Sequence, residues 1–198
     1  MQTHEYAPLS EEDYGRLELR SPIRHEYVNG EIFAMTGGTL RHNTIALNMA
    51  SLLRVHLRTG PCRTFINDVR VKIAHSNAYY YPDVVVACPR RGELLALDSV
   101  TLDDALLIAE VLSPSTAATD RREKLLAYRT IPSLAEYALI SSEGANVEIH
   151  RRHGDIGWQC IEYSGLEDVE FASVALTVPM RDLYEGVPID SLLRGPGD

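Results

Sequence analysis

The stretch 105-ALLIAEVLSPST-116 decides the fold. Apolar residues fill Ala105 to Leu112 without alternation, except for one acid, Glu110. A short, unbroken apolar run fits a strand covered on both faces, and Ser113-Pro114 then stops it. An ionised carboxylate taken out of water without a partner costs several kcal/mol. Glu110 therefore meets a cation, sits protonated, or belongs to a run less buried than its neighbours imply.

A second run of this kind lies upstream, in 79-YYYPDVVVAC-88. Pro82 cannot donate to a strand ladder, so it marks a strand start or an edge. Val84, Val85 and Val86 again show no alternation, and Asp83 precedes them. The tyrosines offer a base-stacking platform, but strand-entry packing on the core is the simpler expectation. Downstream of Glu110, Thr119 is placed to cap a helix over 120-DRREKLLAYRTI-131, which Pro132 follows. Two doubly buried strands with a helix after the second indicate an α/β sheet carrying helices on both faces. Glu110 then falls near the C-terminal end of a central strand, where open α/β sheets bind ligands.

The remaining segments fit around that centre. Residues 9-LSEEDYGRLEL-19 predict a short helix capped by Ser10. Residues 25-HEYVNGEIFAM-35 alternate around Asn29-Gly30, which predicts a hairpin with a type I′ turn. Thr39 is placed to cap a helix through about Arg58 with Ile45, Met49, Leu52 and Leu53 on one face and His42 one turn earlier. Segments 62–67 and 68–74 are expected to pair with each other, with a polar loop from Pro89 to Asp104. Segments 135–141, 146–152 and 158–164 are expected as strands, giving a β-rich C-terminal end. A last helical turn is expected before Leu193, with Gly195 to Asp198 frayed.

The chain has 198 residues, 45% hydrophobic and 24% charged, a size that favours one domain, with a core spanning about 10–190. No apolar segment approaches the roughly 20 residues of a membrane helix. The polar, acidic start MQTHEYAPLSEEDYG is unlike a signal peptide. Cys62, Cys88 and Cys160 form no CxxC pair and are expected as reduced thiols of a cytoplasmic protein. A net charge of −9 argues against a general nucleic-acid coater but leaves room for a local basic cleft.

Asp83 and Glu110 are the acids set in the two most apolar strands. If those strands are neighbours, two carboxylates about 4 Å apart repel by about 4 kcal/mol at an effective dielectric near 20. A divalent cation removes that cost, and carboxylate oxygens suit Mg²⁺ or Mn²⁺. Against this, Asp83 also fits a turn acid after proline, and Glu110 a carboxylate satisfied by a buried arginine or backbone donors. Asp120, Lys124 and Tyr128 follow i, i+4, i+8 spacing, which also describes a surface Asp–Lys pair worth a few tenths of a kcal/mol.

Pro82-Asp83, then Glu110-Val111-Leu112-Ser113-Pro114-Ser115-Thr116, then Asp120-x3-Lys124-x3-Tyr128 resembles the Uma-two family of bacterial endonucleases, within the PD-(D/E)XK, restriction-endonuclease-like superfamily. The similarity extends to 25–35, to His42 and to 134-LAEYALI-140, roughly residues 10 to 190. It implies a three-layer α/β core with a mixed central sheet flanked by helices, a metal-dependent cut of DNA, and Asp83 and Glu110 as ligands of Mg²⁺ (or Mn²⁺). The Val111 carbonyl is a further implied ligand. The superfamily places a lysine two positions after the second acid; here that position is Leu112. Lys124 is the expected substitute, orienting or deprotonating the attacking water, and Lys72 is a second candidate. Glu26, His42 and Tyr128 are expected just outside the metal's ligands. Arg63, Arg70, Lys72, Arg121 and Arg122 contact phosphates only if they border the same cleft. Cutting both strands calls for two sites, as in a homodimer. The rival reading is a catalytically inactive nuclease fold that binds nucleic acid or a protein, which the missing lysine and the acidic charge both favour.

Overall fold

The computed structural model describes residues 8–90, 93–114 and 116–188; the expected C-terminal fraying lies outside them. Helix α1 (Glu11–Glu18) begins at Ser10, whose Oγ accepts from the Asp13 amide at 3.1 Å. Strands β1 (His25–Val28) and β2 (Glu31–Ala34) form the hairpin, with Asn29 and Gly30 at φ 50° and 98° as a type I′ turn requires. Helix α2 (Leu40–Leu57) starts at Thr39, whose Oγ1 accepts from the His42 amide at 3.2 Å. It buries Ile45, Met49 and Leu53, while Leu52 lies at the rim of the core.

Five strands follow in the middle of the chain: β3 (Arg63–Ile66), β4 (Arg70–Ile73), β5 (Ala78–Tyr80), β6 (Val84–Ala87) and β7 (Thr101–Leu102). Next come β8 (Leu107–Leu112) and a helical segment, α3. This is α-helical at Ala117–Thr119, π-helical over Asp120–Lys124, and α-helical again at Leu125–Tyr128. The remaining elements are β9 (Glu136–Ser141), β10 (Asn146–His153), β11 (Gly157–Ser164), β12 (Asp168–Phe171), β13 (Leu176–Pro179) and a final turn, α4 (Met180–Leu183).

The central sheet runs β11-β10-β9-β8-β6-β3. It is mixed: β8 and β9 are parallel, joined over α3, and every other pair is antiparallel. A second sheet runs β2-β1-β5-β4-β7, and β12 pairs with β13. Val84, Val86, Leu107, Ala109, Val111, Ala138 and Ile140 pack on α2 from one face. Val85, Ile108, Leu112, Tyr137 and Leu139 pack on Tyr128 of α3 and on the second sheet from the other. Both faces of β6 and β8 are thus covered, which is why their sequences do not alternate. The tyrosines are core: Tyr79 meets Tyr14 and Tyr27, and Tyr80 lies edge-on to Tyr128.

Three expectations are corrected. Segments 62–67 and 68–74 do not pair with each other; β3 joins β6 in the central sheet, and β4 joins β5 and β7 in the second. Thr119 does not cap a helix, because it lies inside one that begins at Ala117. Cys62 and Cys88 are not reduced thiols but a disulfide. Antiparallel pairing of Arg63 with Ala87 sets these cysteines opposite one another across β3 and β6, so the thiol argument for a reducing compartment falls. Cys160 is free and exposed.

Candidate metal centre

The site lies at the end of the central sheet where β6 begins and β8 finishes. The β6–β8 register pairs Val85 with Ile108 and Val84 with Ala109, so one step further brings Asp83 beside Glu110. Ile108 lies on the α3 face of the sheet, and period-two alternation puts Glu110 on that face, while Asp83 sits just before β6. The backbone fixes them to one another. Glu110 Oε2 accepts from the Asp83 amide at 3.1 Å, and Asp83 Oδ2 accepts from the Val111 amide at 2.7 Å.

From the α3 side, the π turn delivers Lys124. Its Nζ lies 2.8 Å from Glu26 Oε1, 3.2 Å from Asp120 Oδ1 and 3.3 Å from Glu110 Oε1, and 5.4 Å from the Tyr80 ring centroid. Lys124 is buried at 7% exposure, so a surface Asp–Lys pair does not describe it. Single π turns inside α-helices often mark functional positions. The Tyr128 hydroxyl donates to Glu110 Oε1 at 3.2 Å. From the α2 side, His42 Nε2 lies 3.2 Å from Asp83 Oδ2. Glu26 arrives on β1, which sets it against Lys124.

Glu110 is 4% exposed. Its burial raises the carboxyl to about 8; Lys124 pulls it down, while Asp83, Asp120 and Glu26 push it up. Burial opposes the charge of Lys124, yet Glu110, Glu26 and Asp120 hold its ammonium well above the usual lysine range. The bond to Asp83 raises the His42 imidazole against its burial, and the Val111 carbonyl adds to the rise. Asp120 Oδ1 is buried and within ion-pair distance of Lys124, but no aligned hydrogen bond reaches it.

Four carboxylates therefore converge on one ammonium and one imidazole. That surplus of negative oxygen suits a hard divalent cation. Asp83, Glu110 and the Val111 carbonyl have the donor chemistry to hold one, so the residues fit the group.

Other sequence candidates lie elsewhere. Lys72 pairs with Glu11 at 2.6 Å on the second sheet. Arg70 donates to Thr101 Oγ1, Arg63 to the carbonyls of Gly60 and Cys62, and Arg121 to Glu148; Arg122 is exposed. Asp120, whose spacing also described a surface partner of Lys124, is instead buried and is a third acid on the ammonium. One feature escaped the sequence. Among the described residues, a trio of side-chain ligating atoms within 4.8 Å of one another occurs at Glu148, His150 and Cys160 on β10 and β11. Its charge is already met: Arg121 binds Glu148, and the Arg129 guanidinium lies 3.2 Å from His150 Nδ1.

Known proteins resemble this chain over most of its length. It is 32% identical over 182 residues to the uncharacterized protein slr1290 of Synechocystis sp. (strain PCC 6803), covering 92% of this chain and 94% of that one. A second uncharacterized protein of the same organism, sll1609, is 33% identical over 165 residues, covering 83% and 93%. The crystal structure of a putative nuclease belonging to DUF820 from Anabaena variabilis superposes with a TM-score of 0.67 at 18% identity, covering 84% of this chain and 94% of that one. That likeness shows the shared nuclease-like fold. The family model for Uma2, described as a putative restriction endonuclease, matches residues 11–183, and the chain belongs to that family.

Proposed function

We propose that the protein is a single-domain endonuclease that hydrolyses DNA phosphodiester bonds with one divalent cation, Mg²⁺ or Mn²⁺, held by Asp83, Glu110 and the Val111 carbonyl. The ion, when bound, lowers the pKa of an attacking water and offsets charge on the phosphate. Lys124 presents its ammonium beside Glu110, where it orients the water or takes charge from a phosphate oxygen. Glu26 and Asp120 fix that ammonium from two sides, which limits the motion of a long side chain. Tyr128 holds Glu110 by its hydroxyl. Two such centres in a homodimer would serve the two strands, and no helix among the described residues is long and apolar enough to cross a membrane.

The observation that carries this reading is the convergence of Asp83 and Glu110 across β6 and β8, with Lys124 3.3 Å from Glu110. The inactive-module alternative drew on Leu112 in the expected lysine position. A buried lysine supplied from α3 weakens that argument. The test is incubation of the purified protein with supercoiled and single-stranded DNA plus Mn²⁺, beside Glu110→Ala. Cleavage by the wild type alone supports the reading; equal cleavage by both, or by neither, refutes it.

A further inference from the structure

We propose that His42 supplies a nitrogen ligand to the ion at Asp83, making the centre a mixed nitrogen–oxygen site that favours Mn²⁺ over Mg²⁺. The proposal rests on the nuclease reading above and specifies its metal. The first observation is direction. The His42 amide is tied to the Thr39 cap, which sets the ring in the first turn of α2. A Cβ on residue 38 would meet His42 Nδ1 at 2.8 Å and Cγ at 3.0 Å, so glycine leaves the room in which the ring's Nδ1 edge packs. Nε2 is thereby left facing Asp83 Oδ2 at 3.2 Å.

The second observation is spacing. Two ligands at right angles on an ion with bonds of roughly 2.0–2.2 Å stand about 3 Å apart. The Asp83–His42 separation matches that edge. Ligation uses the Nε2 lone pair, so the ion takes the place of a proton on that nitrogen, and the proton leaves to solvent.

The third consideration is selectivity. Mg²⁺ prefers oxygen donors and gives up water reluctantly, whereas first-row transition ions accept imidazole readily. An imidazole among carboxylates tips the balance toward Mn²⁺. A histidine that only positions Asp83 by a hydrogen bond has no such preference between ions.

Calorimetric titration with Mn²⁺ and with Mg²⁺, on wild type, His42→Ala and Gly38→Ala, separates these roles. Pulsed EPR of the Mn²⁺-loaded wild type adds a readout that needs no variant. The proposal expects ¹⁴N coupling from an imidazole in the wild type, lost in His42→Ala. It also expects a fall of roughly tenfold or more in Mn²⁺ affinity in His42→Ala, with Mg²⁺ affinity changing less than about threefold. Gly38→Ala, which displaces the ring but removes no donor, should lower Mn²⁺ affinity in the same selective way. Absence of ¹⁴N coupling, or equal losses for both ions, overturns the nitrogen-ligand proposal and leaves the nuclease reading standing. A wild type that binds neither ion overturns both.

Discussion

Glu110 and Glu136 are buried carboxylates on adjacent strands, β8 and β9, at opposite ends of one parallel pair. Glu136 has partners of its own. Arg151, its cross-strand neighbour on β10, donates to Oε1 at 2.7 Å, and the amides of Ala172 and Ser173 donate at 3.1 and 2.9 Å. The Arg151 guanidinium also reaches the exposed Glu170 at 3.1 Å, and together these contacts tie β12 and the loop after it to the sheet. Glu110 instead shares one ammonium with Glu26 and Asp120 and lies beside Asp83. The difference is one of donors: both oxygens of Glu136 are met by a guanidinium and backbone amides and hold structure together, while three acids crowd one ammonium at Glu110 and leave negative charge for a ligand to neutralise.

The sharpest way to break this comparison is to neutralise the unmatched acids. Asp83→Asn and Glu110→Gln should each lower divalent-ion-dependent DNA cleavage by about 10³-fold or more, with unchanged circular dichroism. Lys124→Met should cost about 10²-fold or more. Retained cleavage in either acid variant would place catalysis elsewhere. At the matched end the consequence should fall on the fold. Glu136→Ala leaves Arg151 without its buried partner and should destabilise by about 3–5 kcal/mol in denaturant titration, while ion binding at Asp83 survives.

A smaller loss of stability is expected away from both acids. The Cys62–Cys88 bridge closes a loop of 26 residues, and Cys62→Ser with Cys88→Ser should cost about 3 kcal/mol. Because the bridge joins the far end of β6 to β3, the pair should leave ion affinity unchanged. The gentlest probe is pH. The folded Glu110 carboxyl sits at about 8 against an ordinary 4.5. Between those values the ion-free folded protein keeps a proton that the unfolded chain has lost. Stability should therefore fall as pH rises from about 5 to 8. Melting curves in chelator should show the slope, Glu110→Gln should flatten it, and added Mn²⁺ should restore most stability at the upper end.

What the sequence disclosed was local or strongly patterned. Thr39 and Asn29-Gly30 act through neighbouring backbone, so α2 and the hairpin were legible to within a residue or two. The unalternating runs at Val84 and Leu107 reported cover on both faces, and that made Asp83 and Glu110 conspicuous. Partners across the fold were not legible. The exchange of β3 and β4 between two sheets, the facing of Cys62 and Cys88, and the Glu136–Arg151 pair all depend on pairings between distant segments. The π turn was hidden for another reason. Asp120 and Lys124 have the spacing of an ordinary exposed helical pair, and only the packing of Tyr128 and Tyr137 beneath them turns that stripe inward.

A cation that belongs between Asp83 and Glu110 is located by anomalous diffraction from crystals soaked in Mn²⁺. A strong peak is expected, bounded by Asp83, Glu110 and the Val111 carbonyl, with His42 beside it. A peak only at Glu148, His150 and Cys160, or none near Asp83 under saturating ion, would contradict that placement.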